Sequence, residues 1–97
     1  MTRLILLRAA QADIRRAAIF YKRQARHLGT KFTSEVEHAF SRVAENPEIG
    51  SPMRRGARKL LVRRFPYLVI YRVLPDGVLV LAIGHQRRHP DFWLGRE

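Results

Sequence analysis

The spacing of apolar residues changes partway along the chain, and this change limits the fold more than any other feature. Between residues 10 and 43, apolar side chains recur every three or four positions, which is the period of amphipathic helices. From residue 58 onward they form dense runs at residues 58–65, 67–74 and 78–85, which are typical of strands. The pattern predicts an α+β fold with an N-terminal strand in residues 2–8, a two-helix hairpin and a three-stranded antiparallel meander.

The helical part of the sequence divides into two helices. The first has an apolar stripe that comprises Ala10, Ile14, Ala18, Tyr21, Ala25 and Leu28. Gly29 is predicted to end this helix and Thr30 to cap the second, because these residue types favour those positions. The second helix has an apolar face that comprises Phe32, Val36, Ala39, Phe40 and Val43. Asn46-Pro47 is predicted to end it, and the short Gly-Thr connection predicts that the two helices are antiparallel.

Turn residues set the expected strand pairing in the second half. Pro75-Asp76-Gly77 is a strong hairpin turn, because proline presets φ and glycine accepts a positive φ. Residues 65–67 mark the other reversal. If Leu74 pairs with Val78, the expected neighbours across the hairpin are Tyr67 and His85, Val69 and Ile83, and Tyr71 and Leu81. The N-terminal strand is rich in leucine and isoleucine, so we expect both of its faces to be buried.

The predicted sheet has more apolar surface than two helices can cover. One face is predicted to carry Leu60, Val62, Leu68, Ile70, Leu74, Val80 and Ala82, interrupted by Arg64 and Arg72. We expect this face to remain exposed and to serve as a binding surface, since an apolar patch with a charged rim marks an interaction site. The alternative is that the N-terminal strand and a tail at residues 90–94 cover it.

Length and composition exclude several classes of protein. A chain of 97 residues predicts one domain, spanning residues 1–97. The chain has no cysteine and no apolar run long enough for a membrane span, so we expect a cytoplasmic protein without disulfides. The histidines lack metal-ligand spacing, and neither a metal nor a cofactor is expected. The net charge of +11 favours polyanionic partners, namely nucleic acid, the ribosome or an acidic protein.

The segment from residue 84 to residue 93 contains most of the groups that could carry chemistry. His85 could move a proton while Arg87 or Arg88 neutralises charge in the transition state. The same arginines could instead bind phosphates or carboxylates without catalysis, and Phe92 or Trp93 could stack a base. In a purely structural interpretation, Trp93 closes the core and the arginines are only solvated.

Four segments in this order and spacing resemble the ParE/RelE family of bacterial type II toxins. They are Ala12-Asp13-Ile14, residues 46–50, residues 65–72 and residues 84–88. The resemblance implies two helices packed on a mainly antiparallel sheet, and an acidic antitoxin that wraps the toxin in a hetero-oligomer. Residues implied to contact the antitoxin are Arg64, Arg72, Leu68 and Ile70.

Two mechanisms exist within the family that the sequence resembles. RelE-like members cut mRNA on the ribosome, but their arginine at the start of the third strand corresponds to Leu68 here. Candidate catalytic residues for this mechanism are His85, Arg87, Arg72 and Arg63.

ParE-like members poison DNA gyrase. They resemble this chain in the Tyr71-Arg72 pair and in the His85-x-Arg87 motif at the end of the last strand. We prefer this branch. Candidate target-binding residues are Arg87, Arg88, His85 and Trp93. Whether the protein is an enzyme stays open at this point, and a weakly toxic member that only binds its partner is a third alternative.

Overall fold

A computed structural model of the chain describes residues 2–96. The elements, in chain order, are β1 Leu4–Leu6, α1 Arg8–Gln24, α2 Arg26–Glu45, β2 Ser51–Pro52, a 3-10 turn Arg54–Gly56, β3 Ala57–Leu61, β4 Tyr67–Leu74 and β5 Gly77–His85. The strands form one sheet in the order β1-β5-β4-β3-β2. β1 is parallel to β5 and the other pairs are antiparallel, so the predicted α+β, mainly antiparallel fold is confirmed.

The two helices meet at Ala25, four residues earlier than predicted. Ala25 is extended, with φ −162° and ψ 133°, and separates α1 from α2. Gly29 lies inside α2, where a Cβ would come within 3.0 Å of the Ala18 carbonyl oxygen. The predictions of a stop at Gly29 and a cap at Thr30 are therefore wrong. This glycine permits close packing of the two helices.

The buried face of each helix follows the predicted period. On α1 the buried residues are Ala10, Asp13 and Ala17, whereas Ile14 and Tyr21 are only half-buried at the edge of the core. On α2 they are Gly29, Phe32, Val36, Ala39 and Val43. The α2 face is therefore confirmed except at Phe40, which is half-buried, and the helix ends at Glu45 as predicted.

The strands confirm the meander and correct some of its bounds. β4 has the predicted bounds, and β5 begins one residue early. β3 ends at Leu61 because the chain turns there: the Val62 N–H donates to the Tyr67 carbonyl at 2.8 Å, and Arg64 has φ +69°. β2 was not predicted. β1 is an edge strand in which Ile5 is 40% exposed, so the predicted burial of both its faces is wrong.

A bulge in β5 changes the expected register. Tyr67 pairs with His85, and Val69 with Ile83, as predicted. Leu74 pairs with Gly77 and Tyr71 with Val80, so the other two predicted pairs are wrong and Leu81 is the extra residue. Leu81 and the next residue, Ala82, both belong to the cluster on the side of the sheet that faces away from the helices. A bulge produces this side-by-side placement because it interrupts the alternation of the strand.

Both faces of the sheet are covered, each by a different part of the chain. The helices cover one face, and its core also takes in Leu60, Val62 and Val80, which were predicted to lie on the other face. The C-terminal tail, residues 90–96, covers the second face. Trp93 is 2% exposed there and packs with Ala57, Ile70, Leu81 and Ala82. The prediction of an exposed apolar face is therefore wrong. Of the alternative cover, the part given to the tail is confirmed, whereas the N-terminal strand lies at the edge of the sheet.

Tyr71 ties the buried centre of the sheet to the loop after α2. Its hydroxyl donates to the Pro47 carbonyl at 2.7 Å and accepts from the Gly50 N–H at 2.9 Å. Tyr71→Phe leaves both backbone groups without this partner, and we expect a loss of about 2–4 kcal/mol in the free energy of unfolding, measured by chemical denaturation.

Tyr21→Phe is the matched control for this experiment. Within residues 2–96 the Tyr21 hydroxyl makes no hydrogen bond, so its removal should change the free energy of unfolding by less than about 0.5 kcal/mol. Equal stability of the two variants would contradict the role of the Tyr71 hydroxyl.

Candidate functional site at the end of the last strand

The chain leaves β5 through a turn that is fixed by backbone hydrogen bonds. The Arg88 N–H donates to the His85 carbonyl at 2.9 Å, and the Gln86 N–H donates to the Pro66 carbonyl at 2.8 Å. These bonds hold the turn against the connection between β3 and β4. Arg87 and Arg88 are exposed on it. Two guanidinium groups are thus presented to solvent from a fixed backbone.

The imidazole of His85 is oriented by the same turn. The Arg87 N–H donates to Nδ1 of His85 at 3.1 Å, so the neutral ring carries its proton on Nε2. The ring packs edge-on against Tyr67, with centroids 5.4 Å apart. His85 therefore presents a hydrogen-bond donor beside the tyrosine ring.

The tail folds back beneath the sheet directly after this turn. Phe92 lies on the backbone of Gly84, where a Cβ would come 2.3 Å from Cζ of the ring, so only glycine fits there. The Trp93 Nε1–H donates to the Pro90 carbonyl at 2.7 Å, and the side chain is buried. The structural interpretation of Trp93 is confirmed. As a direct contact to a target, Trp93 is a wrong prediction because its ring lies in the core.

A buried carboxylate anchors the tail to the first helix and to the last strand. Asp13 accepts hydrogen bonds from the Ile83 N–H at 3.0 Å, from Arg16 at 2.6 Å and from Arg96 at 2.7 Å. Arg96 also donates to the Leu81 carbonyl at 3.0 Å. Asp13 thereby provides an acceptor for a backbone N–H of β5 beyond the last residue that pairs with β1. In return, the several donors offset the cost of burying its charge.

A cleft of about 230 Å³ opens beside the anchored edge. Besides Asp13, the side chains that line it and can contact a ligand are Arg16, Phe20, Tyr67, His85 and Arg88. The guanidinium of Arg88 lies 4.1 Å from the centroid of the Phe92 ring, a cation–π distance. Burial raises the pKa of Tyr67, so its hydroxyl stays protonated at neutral pH.

Three of the four candidate catalytic residues line three different clefts, and the fourth, Arg87, lies on the turn next to His85. His85 lines the cleft just described, together with Arg16 and Arg88. Arg63 lines a groove at the turn between β3 and β4. Arg72 lines a third cleft near Trp93, and its Nε–H donates to the Arg55 carbonyl at 3.2 Å. The structure brings His85, Arg87 and Arg88 together at one turn, and it does not bring Arg63 or Arg72 into their cleft.

The residues implied to contact an antitoxin are spread over two sides of the sheet. Arg64 is exposed in the turn after β3, and its Nε is 3.9 Å from a carboxylate oxygen of Glu35. Leu68 is half-buried. Ile70 is 1% exposed beneath the tail, so its predicted role as a surface contact is wrong as long as the tail is in place.

The part of the chain from residue 2 to residue 96 contains no group of three His, Cys, Asp or Glu side chains arranged to hold a metal ion. None of the helices it contains is both long and apolar enough to cross a bilayer.

Sequence reasoning missed most of the groups around the cleft. Those not predicted as site residues are Asp13, Arg16, Phe20, Tyr67 and Arg96. Asp13 carried a usable signal, because an acidic residue between Ala10 and Ala17 falls on the buried side of the helix and requires a partner. The distant Arg96 carried none.

Comparisons with known proteins agree with this architecture. The profile of the family described as "ParE toxin of type II toxin-antitoxin system, parDE" matches residues 4–90. Toxin ParE1 from two strains of Mycobacterium tuberculosis is 33% identical over 95 residues, which cover 93% of this chain and 95% of that protein.

Two solved structures share the fold. A chain of the chromosomal ParDE toxin-antitoxin system from P. aeruginosa superposes with a TM-score of 0.68 at 24% identity, covering 88% of this chain and 96% of its own. A chain of the RelBE2 toxin-antitoxin complex from Mycobacterium tuberculosis gives 0.59 at 23% identity, covering 87% and 96%. The protein belongs to the ParE family of type II toxin-antitoxin toxins.

The contact that anchors the tail can be tested by comparing two arginines, each of which forms an ion pair between the tail and the rest of the protein. Arg96→Met removes a donor from the buried Asp13, and we expect a loss of about 2–3 kcal/mol in the free energy of unfolding. Arg54→Met removes an exposed ion pair to Asp91, and we expect a loss below about 1 kcal/mol.

Trp93 is the sole tryptophan, so its fluorescence reports the position of the tail during denaturation. In Arg96→Met we expect emission to shift to longer wavelength before the main transition, because the tail leaves the sheet first. Equal stabilities and equal spectra for the two variants would contradict the anchor.

Proposed function

We infer that this protein is a toxin that an acidic antitoxin neutralises, and that it inhibits DNA gyrase by binding through the turn at Arg87 and Arg88. On this proposal the protein is not a nuclease, and it acts in the cytoplasm, where both the antitoxin and gyrase occur.

The separation of the candidate catalytic residues is the observation that carries the proposal. A ribonuclease needs an acid, a base and a charge-stabilising group within hydrogen-bond reach of one phosphodiester. Here Arg63, Arg72 and His85 line three clefts. Leu68 stands where RelE-like toxins have an arginine, so a further cation is missing from the middle of the sheet.

The turn after β5 has the properties of a binding surface. Arg87 and Arg88 are exposed, and the backbone that carries them is held by hydrogen bonds to His85 and Pro66. Cations on a fixed backbone lose little freedom on binding, so their contacts retain more of their energy. A rigid basic turn fits a protein target better than it fits a reaction centre.

An acidic antitoxin agrees with the charge of the chain and with its relatives. The net charge is +11, and oppositely charged partners associate faster and more selectively. Both structural relatives come from toxin-antitoxin systems. We assign the antitoxin contact to the basic turn after β3, where Arg63 and Arg64 lie beside the half-exposed Leu61, and to Leu68, which pairs with Leu61. Arg72 would extend this contact from the other end of β4, where it pairs with Ala57.

Two reactions with purified components test the proposed target. The protein should inhibit supercoiling by DNA gyrase and should leave ribosome-bound mRNA intact. Arg87→Ala combined with Arg88→Ala should raise the concentration for half inhibition by at least about tenfold, since each lost charged hydrogen bond costs about 1.5–3 kcal/mol.

Arg3→Ala combined with Arg8→Ala is the matched control, because it removes the same charge from exposed positions that flank β1. This variant should inhibit gyrase like the parent. Cleavage of mRNA with unaffected gyrase would overturn the proposal, and an equal loss in both double variants would show that net charge alone is responsible.

A further inference from the structure

Among residues 2–96, the polar side chains that line the cleft beside Asp13 are mainly hydrogen-bond donors. Arg16 and Arg88 contribute guanidinium groups, and His85 contributes Nε2–H. Asp13 is the one acid in the part of the chain described, residues 2–96, that lines the cleft, and both of its oxygens already accept hydrogen bonds from Arg16, Arg96 and the Ile83 N–H. A cleft of this composition attracts an anion.

Tyr67 adds a donor that the protein does not use. Among residues 2–96 its hydroxyl has no hydrogen-bond partner, although the ring is half-buried against Phe32 and His85. Burial raises the pKa of this hydroxyl, so it remains a proton donor at neutral pH. Ring contacts with Phe32 and His85 hold the Tyr67 side chain in place at the wall of the cleft before any ligand arrives.

The rim of the cleft contains a solvent-exposed aromatic ring, that of Phe20. Phe20 is 52% exposed, although a phenyl ring on a helix surface normally gains from burial. The cleft measures about 230 Å³. This is less than the roughly 300 Å³ of a small-molecule pocket, so a ligand would place only one end inside.

We propose that this cleft binds one nucleotide, with its phosphate on Arg16, Arg88, Tyr67 and His85 and its base stacked on Phe20. A phosphate matches several donors that approach from different elements, and a base matches the open ring face. A carboxylate would use the donors but not the ring. The ligand is either a free nucleotide or one residue of a nucleic acid strand, because both present the same phosphate and base.

This site shares Arg88 with the proposed gyrase-binding turn, but nucleotide binding does not depend on gyrase and is measured on the toxin alone. Calorimetric titrations at about 0.15 M salt use three ligands: a nucleoside 5′-monophosphate, inorganic phosphate, and a dinucleotide that has its internal phosphodiester but no terminal phosphate. We expect the monophosphate to bind about tenfold more tightly than inorganic phosphate, because the base adds a stacking contact. Saturable binding of the dinucleotide assigns the site to a strand, and binding of the monophosphate alone assigns it to a free nucleotide.

Three single substitutions locate the site. Tyr67→Phe should lower the affinity for both the monophosphate and inorganic phosphate by about fivefold to tenfold, because it removes one hydrogen-bond donor. Phe20→Leu should abolish the preference for the monophosphate and leave inorganic phosphate unchanged. Tyr21→Phe removes the same atom from a neighbouring ring outside the cleft, and it should change nothing.

The outcomes separate this proposal from the proposed gyrase target. Absence of saturable binding, equal affinity for the monophosphate and inorganic phosphate, or indifference to both Tyr67→Phe and Phe20→Leu would each overturn the nucleotide site. Failure to inhibit gyrase would leave these titrations as they are, because none of them contains gyrase.

Discussion

A single buried carboxylate determines how three parts of this protein meet. Asp13 lies on α1 and accepts hydrogen bonds from Ile83 on β5, from Arg16 on its own helix and from Arg96 on the tail. A buried carboxylate is tolerated only when donors surround it, so helix, strand and tail must all reach the same point. The bulge at Leu81 contributes to this arrangement, because its carbonyl accepts the second hydrogen bond from Arg96.

Periodicity in the sequence was sufficient for the order of the helices and of every strand except β2, for the bounds of β4, and for the covered face of α2 except at Phe40. Periodicity gave wrong predictions where a residue type that is typical of one role had a different role in the structure. Gly29 looked like a helix stop, but it lies between packed helices, and only the distance to Ala18 reveals this. The bulge at Leu81 was equally hidden, because a strand with an extra residue keeps an apolar composition.

The candidate site was predicted only where its residues adjoin in sequence. His85, Arg87 and Arg88 were found because they share one segment, whereas the cleft needs Phe20 and Tyr67 from other elements. The prediction of an exposed apolar sheet face was wrong because a seven-residue tail covers that face. One tryptophan in the tail is sufficient because its large ring buries much area. The surface available to partners is therefore basic at the turns and apolar only in patches.

The contacts that complete the site join parts of the chain that are far apart in sequence. Asp13 meets Ile83 across 70 positions and Arg96 across 83. Closing such long loops is entropically costly and slow, whereas the helix hairpin needs only local contacts. A nascent or partly denatured chain can therefore contain both helices and still lack the cleft and the fixed arginine turn. On the function proposed above, the toxic surface is complete only once these long-range contacts have closed, so a factor that delays their closure would limit potency without contacting Arg87 or Arg88.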